Sequence, residues 1–596
     1  MTGRIRFLLA ASALIAVPVA AQIPGDTLAA DTAGVLTQEQ ITKRYLEAQA
    51  LNTIRLPVLP HLGVEGPRPP FSRIVIDRDS IDWSYAETVS ELLQRTPGVY
   101  LWRGGWIGRS EYLNYQARGP TSVEYYLDGL PYLPVGVDSV GVDPSTMALS
   151  LLSRVEVERW PGLLRVQLFT RRHDRRSPSS RIGVGSGDKS IARYFAGIEA
   201  RSRSGLGAAL EGDYLNAPTA SGSSSSSSMS TYLGRVSYIP SARFGAEAQL
   251  QLLDANREPF NDGTGIVGAP FQGTRSDVML RMFLATRKDG GGLRANALFG
   301  QTSWDGGAIL SKVRQGGVML SYRNPTFGFT GWALNRSRWT PWDTRVMAGW
   351  TPVSALSLSA EGGYRRHDQG RESRWLGLRA GLGLPLGLQV AGAYRTGRMV
   401  AAPTILTDTA QRLDDLQGTV GIERRLLGLE LGYSRNAAFQ PRPYQSFPTI
   451  DSLRASGRTE WFTARWRVSP RPWLALEGWY TNPIGGSPDG QPPTHSLTTA
   501  TIRSKFWRSF PSGIFDFKLQ VGMESWSDGV IGRDPAGAAI QLDGATFLRS
   551  LVEIRLQTFI IYWDRTNFGG SGKTYVPGFP VPRYGSTFGV RWEFTN

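Results

Sequence analysis

Gly183-Val184-Gly185-Ser186-Gly187-Asp188-Lys189-Ser190 stands one residue away from a phosphate-binding loop. Such a loop needs a glycine directly before the lysine, so that backbone N–H groups can close on phosphate, and here Asp188 occupies that place. Its carboxylate opposes phosphate and no helix is predicted to follow, so the stretch reads as a hairpin turn. Metal chemistry is no better served. His61, His173, His367 and His495 are far apart in sequence, there is no cysteine, and no pair has zinc-type spacing. His367-Asp368 falls on an expected outer loop, where solvation is the simple reading, and no serine sits in a nucleophile elbow. The chain is therefore read as no enzyme, with no cofactor and no metal. What remains is aromatic and basic: Trp304, Trp339, Trp342, Tyr444, Phe447 and Trp526 fall near expected strand tops or in outer loops. With arginines nearby they suit a flat or anionic small-molecule ligand through stacking and charge, although aromatic girdles also mark the membrane interfaces of any barrel.

The elements that must position these residues are strands. From Arg181 onward about 22 candidate strands of membrane-crossing length alternate in polarity. In one of them Phe515, Phe517, Leu519, Val521 and Met523 face one side and Asp516, Lys518, Gln520, Gly522 and Glu524 the other. A soluble sandwich also alternates, so period two does not decide the architecture. The connections do, because tight turns near 204, 241, 288–290, 324–325, 353–354, 385, 426, 470–472, 511–512 and 557 interleave with mostly longer ones. Short turns on one side and longer loops on the other are the pattern of an outer-membrane barrel. No run of about twenty apolar residues is available for a spanning helix. At the N-terminus, Arg4 and Arg6 precede an apolar run and Val19-Ala20-Ala21, which reads as a secretory signal ending at Ala21. The net charge of +16 is dispersed as single arginines rather than gathered in a tract. That dispersal argues against nucleic acid and for a wet lumen, with lipopolysaccharide phosphates as a further anionic partner.

Before the strands, residues 85–170 form a compact unit. A helix-like stretch with Val89, Leu92 and Leu93 stops at Thr96-Pro97-Gly98. Tyr115-Gln116-Ala117-Arg118-Gly119, then Leu127-Asp128-Gly129-Leu130-Pro131, then Val155-Glu156-Val157-Glu158-Arg159-Trp160-Pro161-Gly162 follow in order. This succession resembles the plug domain of TonB-dependent outer-membrane receptors. The chain after Gly162 lacks the family's "LYG" step and enters the last plug strand directly, so a shortened plug is expected. The resemblance implies an all-β transmembrane barrel with a small α+β plug in its lumen. It divides the chain into a signal peptide (1–21), a periplasmic extended segment (22–71), the plug (72–176) and the barrel (177–596).

The resemblance also implies site residues and partners. Trp102, Arg103, Trp106 and Tyr132 lie on plug turns that in the family face outward, and they join the ligand-binding candidates. Arg118, Gly119, Asp128 and Gly129 match plug–barrel contact positions; Glu524 or Glu593 is the expected carboxylate for Arg118. Phe588, Val590, Trp592 and Phe594 resemble the C-terminal assembly pattern read by the barrel assembly machinery. Thr53-Ile54-Arg55-Leu56-Pro57-Val58-Leu59 is the local candidate for a TonB box, although its prolines make it a poor strand. The implied role is energised uptake of a siderophore-, cobalamin- or glycan-like solute across the outer membrane, with the TonB complex as partner. A non-transporting scaffold or adhesion subunit and a passive porin-like channel are the alternatives.

Overall fold

The computed structural model describes residues 53–62, 67–84, 86–136, 138–217, 226–261, 266–267, 271–306 and 309–595. The expected signal segment, and a stretch at 38–50 whose residues read as a short helix, lie outside the described residues. No described helix is long and apolar enough to cross a membrane. Strands do so instead.

Twenty-two antiparallel strands form a closed barrel, each pairing with its chain neighbour. Closure comes when Gly585–Thr595 pairs with Ser179–Gly187, from Thr587↔Gly187 to Thr595↔Ser179. Because side chains alternate across a strand, each strand builds both surfaces at once. Leu284, Val318 and Leu376 point outward and are exposed, while Arg281, Gln315 and Glu361 point into the lumen and are buried. The glycine-rich stretch 183–190 is the end of the first barrel strand and the turn after it, as its chemistry implied. Turns on the plug-entry side are mostly two to a few residues, at 202–205, 242–243, 354–355, 472–473 and 557–558. One departs from that rule: 505–514 is a ten-residue excursion. Opposite it, residues 437–458, 527–544 and 567–584 form the long loops. The serine run at 223–228 reads in sequence as loop filler, yet Ser227 and Ser228 open a barrel strand, and Ser227 Oγ donates to Gly108 O at 2.6 Å.

The lumen is filled by residues 73–170. Strands β1 (Arg73–Asp77), β4 (Val123–Leu127), β5 (Leu130–Pro131), β6 (Leu152–Trp160) and β7 (Leu163–Thr170) form one sheet in the order β1-β6-β7-β4-β5. Strands β6 and β7 meet through Pro161-Gly162 alone, the shortened turn seen in the sequence. Helix α1 (Arg78–Asp82) follows β1, and helix α2 (Val89–Leu93) precedes β2 (Val99–Arg103) and β3 (Glu111–Tyr115). Only five residues long, α2 depends on its ends. Thr88 Oγ1, at the N-cap, accepts from Glu91 N at 3.2 Å, and Glu91 Oε2 reaches back to accept from Glu87 N, one residue before the cap, at 2.8 Å. Val89, Leu92 and Leu93 then pack with Val155, Val157, Val166 and Leu168 of the sheet in one core.

Ending the chain after Tyr584 removes the closing strand and leaves two unpaired edges, which lipid does not tolerate. The truncated protein should lose the heat-dependent gel shift of a folded barrel; a retained shift would show that closure can occur without this strand.

Candidate functional site

A polar inner wall facing a polar plug forces charges out of water, where burial is costly unless they are paired, and most of them are. Arg165 on β7 forks onto Glu361 of the wall at 2.8 and 2.9 Å and also binds Glu158 on β6 at 2.9 Å. Arg159 Nη1 donates to Glu430 at 2.5 Å, and Arg365 Nη1 of the wall donates to Glu124 of β4 at 2.9 Å. Arg549 of the wall reaches Glu91 on α2 at 2.7 Å. Glu91 also holds Arg103, which bonds Glu111 at 2.8 Å. Burial raises the Glu91 carboxyl, but Arg549 and Arg103 outweigh it and hold it near 2. All of these groups sit where the plug meets or backs the wall, so the plug is locked by charge.

The motif residues take their places in this lock. Arg118 is buried as expected, yet its Nη2 donates to Asp415 Oδ1 at 2.6 Å, not to Glu524 or Glu593. Those two are taken: Glu524 accepts from Tyr575 OH at 2.6 Å and Gln94, and Glu593 pairs with Arg171 at 3.1 Å. A Cβ on Gly162 would lie 2.7 Å from the Arg118 guanidinium, so the "PG" turn clears its path. Gly119 lies against the outer loop at Arg442 O. Asp128 and Gly129 both adopt left-handed backbone, φ 48° and 94°. The Asp128 carboxylate accepts from Thr170 Oγ1 at 2.6 Å and Arg172 Nη1 at 2.9 Å, and Arg172 Nη2 bridges on to Glu247 of the wall at 2.7 Å.

Leu62 packs onto that turn so closely that a Cβ on Gly129 would sit 2.4 Å from its Cδ1. The segment read from sequence as a featureless extended linker is thus docked over 53–62. Arg55 pairs with Asp174, and Leu56 N donates to Asp174 O at 2.7 Å. Leu59 is buried with Ile239, Phe283 and Ala285, and Arg281 donates to Pro60 O at 2.6 Å. Prolines deny it a strand ladder; apolar pegs hold it instead.

On the outer side, loops roof the β2–β3 pair. Trp102 Nε1 and Asn114 Nδ2 both donate to Gly490 O, at 2.8 and 2.7 Å, and Tyr100 OH donates to Tyr575 O at 2.7 Å. Tyr444, Phe447, Trp526, Tyr575 and Phe579 complete one aromatic core with Trp102 and Tyr112. Most of the residues read from sequence as ligand-binding candidates are packed inside the closed structure. Trp102, Tyr444 and Trp526 are roof packing, and Arg103 is engaged by two carboxylates. Trp106 and Trp304 are buried in a second cluster. Tyr132 is covered by Arg275 at 3.6 Å. Trp339 is half-buried, and Trp342 is exposed on the outward face of its strand. His367, expected in solvent, is buried between Thr340 Oγ1 at 2.9 Å and Ser373 Oγ at 2.8 Å. Phe588, Val590, Trp592 and Phe594 share the outward face of the closing strand, with Phe588 and Trp592 exposed.

The plug does not fill the lumen evenly. A cavity of about 480 Å³ separates Phe71, Trp83 and Arg95 of the plug side from Arg465, Trp479, Thr499 and Lys518 of the wall. The wall carboxylates that anchor the plug, Glu361, Asp415 and Glu430, carried no motif. Glu430 alone has a visible sign, a lone carboxylate at an inward position of an otherwise small or apolar stretch, Leu427-Gly428-Leu429-Glu430-Leu431-Gly432.

The family model for the TonB-dependent Receptor Plug Domain matches residues 68–164. Among solved structures, a point mutant of the ferric enterobactin receptor of Pseudomonas aeruginosa superposes with a TM-score of 0.68 at 10% identity, covering 88% of this chain and 98% of that one. The FrpB iron transporter of Neisseria meningitidis gives 0.67 at 10% identity, covering 89% and 100%. The siderophore receptor PirA of Acinetobacter baumannii gives 0.65 at 8% identity, covering 88% and 98%. None of the curated proteins matches by sequence. At identities this low the superpositions show a shared fold and nothing more.

Arg118→Ala strands Asp415 without its cation and should destabilise the plug–barrel contact by about 3–5 kcal/mol; faster proteolysis of the plug is the readout, and unchanged proteolysis would show the pair to be dispensable. The lowered Glu91 value gives a pH dependence as well. A carboxylate held below its unfolded value of about 4.3 contributes fully above that pH and loses its contribution as pH falls towards 2. Acid titration of thermal stability should show this limb, and Glu91→Gln should flatten it.

Proposed function

We propose that this plugged barrel, a TonB-dependent receptor by its plug domain and 22 strands, carries a scarce solute across an outer membrane using work delivered from the periplasm. One observation carries the reading: the plug is tied to the wall on several sides by buried ion pairs. Breaking one such pair by removing a partner costs about 3–5 kcal/mol, so a plug held by several does not step aside thermally. Passage therefore needs force, and an outer membrane has no ATP to supply it. The docked 53–62 segment supports the same reading, since it connects the preceding chain to the plug turn at Gly129. A pull on it bears on Leu59, Leu62 and then the Asp128 turn.

The relatives in fold are described as receptors or transporters for iron and siderophores. A siderophore-like solute is accordingly the first class to test, with cobalamin- and glycan-like solutes next. The closed aromatic roof means that capture begins with the outer loops lifting from Trp102 and Tyr112. That roof also favours a second reading, a surface scaffold whose loops are fixed in place. A passive channel fits poorly with a tied plug.

Deleting residues 22–70 should abolish uptake while leaving surface binding of the same solute intact. Uptake at the undeleted rate would overturn energy coupling through this segment. A scaffold predicts neither uptake nor retention of the TonB C-terminal domain by residues 22–70.

A further inference from the structure

The cavity between plug and wall is more than loose packing, because its charges do not balance locally. Arg95, Arg465, Arg467, Arg503 and Lys518 line it against Glu423, Glu430 and Glu477. Most of these charges already have partners. Glu423 pairs with Arg467, Glu430 takes Arg159 at 2.5 Å, and Arg503 pairs with Asp516 at 2.5 Å. Glu477 is two strands away from Lys518 in the wall.

Lys518 is the exception. Its residue is 2% exposed, and its Nζ has no hydrogen-bond partner. Directly across the ladder stands Glu553, but that carboxylate is held by Arg555 Nε at 2.6 Å. What Lys518 does meet is the Trp83 ring at 5.2 Å. Arg503 and Arg555 cover the same ring, at 4.4 and 3.7 Å, so three cations crowd one indole. Arg503 brings Asp516 and Arg555 brings Glu553, so the charge left uncompensated is that of Lys518, and a buried ammonium without an anion or acceptor is costly. Trp479 Nε1, also lining the cavity, is a second buried donor with no acceptor. Two idle donors, a surplus of cations and room for a solute describe a receptor for oxygen-rich negative charge.

We propose that this cavity binds a multivalent oxyanion, a carboxylate- or phosphate-bearing solute, with Lys518 as its buried anchor and Arg503 and Arg465 as the outer cations. Phe71, Ser80 and Glu423 place its mouth beside the turn at 424–426, on the side of the barrel from which the plug's chain enters. As a holding station for the imported solute it rests on the transport reading. Binding itself does not.

The test is calorimetric titration of citrate into the full-length protein in uncharged-detergent micelles at low ionic strength. Wild type should bind one citrate saturably, Lys518→Met should bind at least tenfold more weakly, and Lys505→Met in the 505–514 turn should match wild type. Without citrate, Lys518→Met should melt at a higher temperature than wild type, because it removes an uncompensated ammonium, and citrate should raise the melting temperature of wild type alone. No saturable binding by wild type, or equal binding by Lys518→Met, overturns the site. Should Lys518→Met fail to fold, Arg503→Gln is read instead, with a threefold or greater loss supporting the site and unchanged affinity overturning it. Citrate binding that persists when deletion of 22–70 leaves uptake untouched would overturn the transport role alone, and absent binding alongside energised uptake would overturn the site alone.

Discussion

The fold turns on charges that water cannot reach. Closing 22 strands removes every edge that lipid would punish, but it also creates a wide lumen whose inward side chains are polar by the period of the strand. Something must fill that lumen and satisfy those groups. The plug does both, and it does so with arginines. Arg118, Arg159 and Arg165 reach outward from the plug to Asp415, Glu430 and Glu361, while Arg549 and Arg365 reach inward from the wall to Glu91 and Glu124. Arginine suits this work because its planar fork can hold two oxygens at once and stays charged when buried. The exchange runs in both directions, so neither part is satisfied without the other.

The two ends of the lumen are built differently. Towards the long loops, plug and barrel share an aromatic core in which Trp102 and Tyr444 rings lie 4.7 Å apart and Trp526 and Tyr575 rings 4.9 Å apart. Such packing is apolar, with a few hydrogen bonds to backbone carbonyls, and it excludes water. Towards the short turns, the contact opens into a charged cavity beside Trp83 and Lys518. Aromatic packing closes the lumen on the side of the long loops, whereas the charged cavity and the docked 53–62 segment lie towards the short turns. The asymmetry gives the molecule a direction.

Much of the architecture was legible in the chain. Alternation in strands such as Phe515–Trp526, turn chemistry, and loop lengths of alternating size are local properties, fixed by side-chain period and backbone sterics. The plug motifs were legible for the same reason: Asp128-Gly129 and Pro161-Gly162 are turns whose backbone needs show in residue type. The site was less so. Most of the aromatic residues read as ligand candidates pack against plug or loop in the closed structure, a placement the sequence could not show because an exposed loop and a loop folded over a plug have the same composition. Likewise His367 reads as a surface residue until the neighbouring strands place Thr340 and Ser373 on either side of it.

What the sequence alone determined is therefore the repeated local grammar: strand faces, turn positions and the plug's order of motifs. Only the tertiary structure decided who pairs with whom. Arg118 and Asp415 are 297 residues apart, and nothing local distinguishes Asp415 from Glu524 or Glu593 as its partner. That choice is made by the angular position of the plug inside the barrel, a single rotation that sets every cross-domain pair together. The same rotation leaves Lys518 facing an opening, because the plug presents no carboxylate to it and the one across its ladder, Glu553, is taken by Arg555.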